Sequence, residues 1–509
     1  MNRIEIMDTS LRDGEQTSGV AFSASEKLSV AKSLLTDVKV DRIEVASARV
    51  SKGELEGLKQ IVSWASEYGF IEKIEILGFV DKGKSLDWIN SAGGKVINLL
   101  CKGSKKHLEG QLKKTLAQHV ADISAEVDYA TKLGIEVNLY LEDWSNGMRD
   151  SEEYVFSLLN ALKKLKIKRF MLPDTLGTLN PDESYAYYKK MTTDFPELHF
   201  DSHLHNDYDF AVGNTFSAIK AGVNGVHTTV NGLGERAGNT PLASAVAVIK
   251  DQLLEHTCDV NEEKLNHISK LVEAFSGVHV PQNKPVVGEH VFTQTCGVHA
   301  DGDNKGGLYF NKLMPERFGR IREYALGKTS GKASIQKNLE DSGIVLTSEE
   351  MKKVTARVVE LGDKKEVITK EDLPYIIASV LDKQVEEEAN IKLVNYHSAH
   401  VHGLDPVATL MVEIEGQQYQ ETATGDGQYD AFMKALRKIY AALGKEMAVL
   451  TNYKVSIPPG GKTDALVQTI ITWEYKGDEF KTVGLDSDQQ SAATRATMKM
   501  LNIIETHVS

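Results

Sequence analysis

The chain has 509 residues, too many for one typical domain, and its 41% hydrophobic and 26% charged content suits a globular protein with a full core. A formal net charge of -13 disfavours non-specific nucleic-acid binding but leaves room for a local basic pocket. No basic start precedes a long apolar run, no stretch nears a span of about 20 apolar residues, and Cys101, Cys258 and Cys296 are scattered without a CxxC, so the reading is cytoplasmic, without membrane or disulfide framework.

From residue 1 to about 250, short apolar runs alternate with amphipathic helical patterns. The strand candidates are IEIMD (4–8), RIEVAS (42–47), IEILGFV (74–80), VINLLCK (96–102), EVNLYLED (136–143), RFMLPDT (169–175), HFDSHLHND (199–207) and GVHTTVNG (225–232). The helical patterns between them include SEKLSVAKSLL and SEEYVFSLLNALKKL, each opening on a serine suited to cap it. Eight strand–helix units in about 250 residues is the arithmetic of a (β/α)₈ TIM barrel, an α/β fold. A doubly wound open sheet is disfavoured, because polar residues cluster at the ends of nearly all eight strands and not at one switch point.

Residues 276–390 read as a linker with a Gly- and His-containing stretch, PVVGEHVFTQTCGVHADGDNKGGLY, followed by a small helical connector. From 391 to 509 strand-like runs precede a helix, and the order occurs twice, which predicts an internally duplicated α+β domain. The expected domains are therefore a catalytic barrel (1–275), the connector (276–390) and a C-terminal domain (391–509).

The residues with chemical potential lie at strand ends. His203 and His205 in HLHND are two apart, so a strand would aim both imidazoles at one face. Two imidazoles can share a divalent cation, with Asp13 after the first strand and the amide of Asn239 completing an O/N set that suits Mn²⁺, Mg²⁺ or Zn²⁺. Arg12 is a fixed cation able to stabilise an oxyanion. Glu142, ending the fifth strand, could hold Arg12 across the barrel mouth, or could be a solvated charge. Asp174 and Thr175 could bind a substrate carboxylate or form a turn. The glycines of NGLGERAGN allow close backbone approach, and a phosphate cradle is the lesser reading of that loop.

DTSLRDGEQ, LPDTLG, HLHND, NGLGERAGN and GVHADG, in this order, resemble the metal-dependent Claisen-condensing synthases: the 2-isopropylmalate, homocitrate and citramalate synthases. The resemblance spans essentially the whole chain. It implies an acyltransferase in which a 2-oxo acid chelates the metal, with Thr175 on its carboxylate, and in which acetyl-CoA is deprotonated and attacks the ketone. Arg12, oriented by Glu142, would stabilise the developing charge. His299 and Tyr309 match positions contributed by the neighbouring subunit of a homodimer, with Asp301 as a partner for His299.

The wall beside the ketone would be set by Leu77, Leu100 and Tyr140. Large apolar side chains at all three positions favour the methyl of pyruvate over an isopropyl group, as in a citramalate synthase of isoleucine biosynthesis. The alternative is a 2-isopropylmalate synthase of leucine biosynthesis taking 2-oxoisovalerate. A dicarboxylic 2-oxo acid would need an extra cation in this wall, and none is expected on the three strands. The resemblance also places Tyr429, Asp430, Leu450, Tyr453, Ile457, Thr463 and Val467 around a branched-chain amino acid that inhibits by feedback. Lyases of aldol or acyl-thioester type, biotin-linked carboxyltransferases and a degenerate amino-acid sensor are the competing classes.

Overall fold

In the computed structural model, which describes residues 1–339, 346–363, 368, 370–381, 391–401, 403–456 and 467–506, all eight predicted segments are strands. They run Glu5–Asp8, Arg42–Ser47, Ile74–Phe79, Val96–Lys102, Glu136–Glu142, Arg169–Asp174, Phe200–Leu204 and Gly225–Thr228. Each is parallel to its neighbours in sequence order and the eighth pairs with the first, so the sheet is a closed barrel. Their burial is near-continuous along each strand, as expected of parallel strands covered on the outside by helices. The chain is thus an α/β protein built on a (β/α)₈ barrel, with a duplicated α+β region following it.

Local signals set the helix ends. The first helix, Ala24–Lys32, is capped by Ser23 in a reciprocal box with Glu26, two residues before the serine that the pattern suggests. Ser151 stands at the N-terminal cap position of Glu152–Leu162 without a capping bond from its side chain. Helix Lys52–Tyr68 has Ser51 as its cap and stops at Gly69, whose positive φ of 77° completes the turn.

The register between the fourth and fifth strands builds the barrel interior in rungs. Asn98 faces Asn138, Leu100 faces Tyr140 and Lys102 faces Glu142, and the two-residue period puts all three pairs on one face. An amide rung thus lies below an apolar rung, and an ion pair closes the rim.

Two compact units divide the chain: Met1–Phe292 with Asn311–Ile321, and Thr293–Phe310 with Arg322–Ser509. In the second unit, short helices Lys332–Leu339, Ser348–Asp363 and Leu373–Val380 pack around Ile335, Val354, Val358 and Leu373. Two antiparallel three-stranded sheets follow. Ile391–Ala399, Val407–Ile414 and Gln417–Thr424 precede helix Gln428–Ala442, and Val449–Ser456, Val467–Tyr475 and Asp478–Asp486 precede helix Gln489–Thr506. Among the described residues no helix is long and apolar enough to cross a membrane.

Candidate active site

The C-terminal ends of the barrel strands bring Asp13, His203, His205 and Asn239 together. His203 and His205 share a face of the seventh strand, with their Nε2 atoms 3.4 Å apart. Asp13 Oδ2 lies 3.2 Å from His203 Nε2 and 3.9 Å from His205 Nε2. Asn239 arrives because the loop after the eighth strand pairs back onto the seventh: His205 bridges Asn239, and Asn206 N–H donates to Gly238 O at 2.9 Å. Gly234 makes this possible. Its φ is 149°, and a Cβ there would stand 2.2 Å from the Asn239 amide nitrogen.

The geometry fits a divalent cation. Metal–ligand bonds of about 2.0–2.2 Å place two ligands about 3 Å apart at right angles and about 3.5 Å apart at the tetrahedral angle. The separations of 3.2 and 3.4 Å fall between those values and the third, 3.9 Å, lies a little beyond them, and the ligand atoms of Asp13, His203 and His205 all lie within 4.8 Å of one another. Asn239 donates through Nδ2 to Asp13 at 3.1 Å, while its buried Oδ1 has no hydrogen-bond partner among the described residues. Protonation states agree with this role. Burial alone would raise the Asp13 carboxyl, but Arg12 and the two imidazoles outweigh it and hold the group well below the usual carboxylate range. Burial, helped by His203, pushes His205 down to about 4, so at neutral pH it carries a lone pair for a cation.

Arg12 is buried beside this centre, but its partner is not Glu142. Its Nε donates to Glu44 Oε2 at 2.6 Å, and its Nη1 lies 3.4 Å from Asp13. Glu44 also accepts from Thr9 Oγ1 at 2.7 Å and from Asn98 Nδ2 at 2.8 Å, and Asn98 in turn accepts from Asn138. Glu142 instead pairs with Lys102, its register partner on the adjacent strand. The expected Arg12–Glu142 pair is corrected on this point. Arg12 follows the first strand, whose neighbour is the second, whereas Glu142 ends the fifth. Lys102 corrects a second expectation: a cation does stand on these strands, at the end of the fourth, neutralised by Glu142.

Leu77 and Tyr140 form a separate apolar cluster inside the barrel with Met7 and Met171, and Leu100 packs against it. Tyr140 connects this wall to the polar centre. Its ring lies edge-on to His203 at 5.7 Å, and its hydroxyl is 3.5 Å from Arg12 Nη2. Burial, reinforced by Glu44, raises this phenol far above its usual value, so it stays protonated.

Thr175 Oγ1 accepts from the Asp143 N–H at 2.9 Å, which leaves its proton for donation elsewhere. Asp174 does not accompany it as a ligand group. Its carboxylate accepts from Ser145 Oγ at 2.7 Å and Leu179 N at 2.9 Å, and so holds its own loop.

In the second unit, His299 lies on helix Gly297–Asn304 with its ring 4.2 Å from that of Tyr309, and its Nδ1 is 3.1 Å from Gln294 Oε1. Asp301 pairs with Lys305 at 2.5 Å, one helical turn on, so Gln294 takes the place expected of it beside His299. Among the effector candidates, the rings of Tyr429 and Tyr453 lie 5.3 Å apart and Tyr429 bonds Thr497 at 2.7 Å. Leu450 packs against the same core. Asp430 accepts locally from Asp426 N–H and pairs with Lys434 at 2.6 Å. Val467 begins the middle strand of the second sheet, and Ile457 and Thr463 lie outside the described residues.

Glu44, Asn98, Asn138, Lys102, His227, Met7 and Met171 escaped the sequence reading. The signal for most of them was present, since a charged or amide residue in the middle of an otherwise apolar barrel strand has to face an interior partner.

The HMGL-like family matches residues 3–272, the homocitrate synthase post-HMGL domain-like family residues 286–366, and the LeuA allosteric (dimerisation) domain residues 367–505. Among curated relatives, the (R)-citramalate synthase CimA of Methanocaldococcus jannaschii is 34% identical over 98% of this chain and 99% of its own length. The 2-isopropylmalate synthase of the same organism is 30% identical over 99% of this chain and 95% of its own. A protein named "Probable 2-isopropylmalate synthase" from Methanopyrus kandleri is 33% identical over 98% of both chains.

Proposed function

The chain belongs to the HMGL-like family, alongside citramalate and 2-isopropylmalate synthases, and on that premise we propose that it condenses acetyl-CoA with pyruvate to give (R)-citramalate and CoA in the cytoplasm. The observation that carries the choice of pyruvate is the cluster of Leu77, Leu100 and Tyr140 with Met7 and Met171, next to His203. Large apolar side chains standing beside the ketone would suit a methyl group. An isopropyl group would have to displace them, and steric exclusion discriminates more strongly than underfilling does.

Asp13, His203, His205 and Asn239 would hold a divalent cation, Mn²⁺, Mg²⁺ or Zn²⁺. Such a cation supplies Lewis-acid polarisation of the ketone and anchoring of the carboxylate. Thr175 donates its hydroxyl to that carboxylate. Removal of a methyl proton from acetyl-CoA leaves a carbon nucleophile, which forms the new bond to the ketone carbon. The ketone oxygen gains the negative charge and then a proton, and Arg12, fixed by Glu44, faces that charge. Water then cleaves the thioester and releases CoA. His299 and Tyr309, from the partner subunit of a homodimer, serve the proton transfers, and the C-terminal domain binds isoleucine or leucine as a feedback inhibitor.

The test is release of free thiol from acetyl-CoA with pyruvate, 2-oxoisovalerate, 2-oxobutanoate or 2-oxoglutarate supplied separately, with Mn²⁺ or Mg²⁺ and with chelator. Preference for pyruvate supports the proposal. Preference for 2-oxoisovalerate overturns the substrate and makes the enzyme a 2-isopropylmalate synthase. No turnover with any of them, metal present, overturns the synthase reading. Adding isoleucine or leucine without change in rate removes the feedback role.

A further inference from the structure

One imidazole inside the barrel is held by neighbours that leave it a single function. His227, on the eighth strand, is fully buried. Its Nε2 faces Asp201 Oδ2 at 3.2 Å, and its Nδ1 faces two groups of the centre described above, His203 Nδ1 at 3.3 Å and the Tyr140 hydroxyl at 3.0 Å. Asp201 is itself fixed. It accepts from Arg42 Nη2 at 2.7 Å and from His199 Nε2 at 2.9 Å. The opposing residue on the eighth strand is Gly225, where a Cβ would stand 2.2 Å from Asp201 Oδ1. The chain therefore gives up a side chain at residue 225 to seat this carboxylate.

The proton positions follow. Arg42 donates to Asp201 Oδ2 as a fixed cation at 2.7 Å, so Asp201 stands as a carboxylate paired with a guanidinium. An ionised carboxylate can only accept, so His227 must present Nε2–H to it. With its one proton there, a neutral His227 offers an acceptor lone pair at Nδ1. Tyr140 O–H and His203 Nδ1–H are the donors aimed at that lone pair. His203 with its proton on Nδ1 has its own lone pair on Nε2, the atom that faces Asp13 and His205. The opposite arrangement, with protons on both nitrogens of His227, would require His203 to carry its proton on Nε2 and would close that nitrogen to a cation.

We propose that His227, seated by Asp201 and Arg42, is a positioning residue that sets the tautomer and ring orientation of the metal ligand His203 and ties Tyr140 of the substrate wall to the same point. The inference rests on Asp13, His203 and His205 being the ligand set proposed above. Groups that hydrogen-bond the far nitrogen of a histidine ligand typically contribute about 10- to 100-fold to metal affinity.

The test is Mn²⁺ affinity of the full-length protein without substrates, read as loss of the free-ion EPR signal on titration. His227→Leu removes the acceptor and is expected to weaken Mn²⁺ binding about 10- to 100-fold. His227→Asn can place Oδ1 near the original Nδ1 and is expected to recover most of that loss. Leu and Asn variants that are folded, by melting curve, and bind Mn²⁺ as tightly as the native protein overturn the proposal. Should the Leu variant fail to fold, ¹⁵N-histidine NMR of the native protein decides: His203 protonated on Nδ1 and His227 on Nε2 is expected, and the reverse pair overturns it. A native protein that binds no Mn²⁺ overturns the metal reading itself, a result distinct from equal binding by native and Leu forms.

Discussion

Glu44→Gln separates the Arg12–Glu44 arrangement from every alternative for Arg12. Glu44 is fully buried and accepts three hydrogen bonds, from Arg12 and Thr9 on one oxygen and from Asn98 on the other. A glutamine can keep its oxygen toward Arg12 and Thr9, and its new N–H₂ then meets the Asn98 amide. Flipping Asn98 and Asn138 together absorbs that clash, because Asn138 Oδ1 has no partner among the described residues and becomes an acceptor. The hydrogen-bond count is nearly conserved and the charge is not. Neutralising one member of a buried pair costs about 3–5 kcal/mol. Asp13 remains 3.4 Å from Arg12 as a second anion, which puts the expected loss at about 3 kcal/mol, the low end of that range. Removing a preorganised donor from a developing oxyanion costs about 10²- to 10³-fold in kcat. Arg12 is retained here but held less firmly, so a fall of about 10- to 100-fold is expected, with the KM for the 2-oxo acid little changed. Thiol release gives kcat, and a melting curve run beside it shows whether the variant is folded. Glu142→Gln leaves Glu44 on Arg12 and is expected to cost less in kcat. A folded Glu44→Gln enzyme within twofold of native kcat would refute the positioning of Arg12 by Glu44, as would a larger loss in Glu142→Gln.

Three further outcomes follow from the same geometry. Leu77→Ala or Leu100→Ala opens the wall. The two extra carbons of 2-oxoisovalerate are worth about 0.8 kcal/mol each on burial, so its kcat/KM relative to pyruvate should rise at least about 10-fold; an unchanged ratio means that these leucines do not set the substrate. Chelation should abolish turnover, and Mn²⁺ at about 100 times its Kd should stabilise the protein by about 2.7 kcal/mol; a melting temperature indifferent to Mn²⁺ would contradict the ligand set. His119, buried on the outer side of the barrel, accepts the Lys102 N–H on Nε2 at 3.1 Å, and burial, then Lys114, lowers it from 6.5 to about 4. Because the unfolded chain takes up this proton first, the stability contribution is complete above pH 6.5 and is lost as pH falls toward 4, by up to about 3 kcal/mol. His119→Gln, which can still accept that N–H, should flatten the slope of stability against pH between 4 and 6.5, and an unaltered slope would refute the assignment.

The parts of this protein carried by short-range pattern were legible without coordinates. Eight apolar runs at regular spacing, each ending in polar residues, specify strands whose ends share a rim. His203 and His205 share a face because a strand repeats every two residues. The grouping of Asp13 and Asn239 with them follows once the barrel closes. Tertiary structure decided which charge meets which. Glu44 and Glu142 are both acidic residues on barrel strands, and nothing within either segment says which one Arg12 will reach. Strand adjacency and register answer it: the first strand lies beside the second, and Lys102 is the register partner of Glu142. The same holds for His227, an unremarked histidine in GVHTTVNG that becomes a neighbour of His203 and Asp201 only when the seventh and eighth strands pair. A sequence records which side chains face inward, while the stagger of the closed sheet determines which inward groups lie close enough to exchange a proton or share a charge.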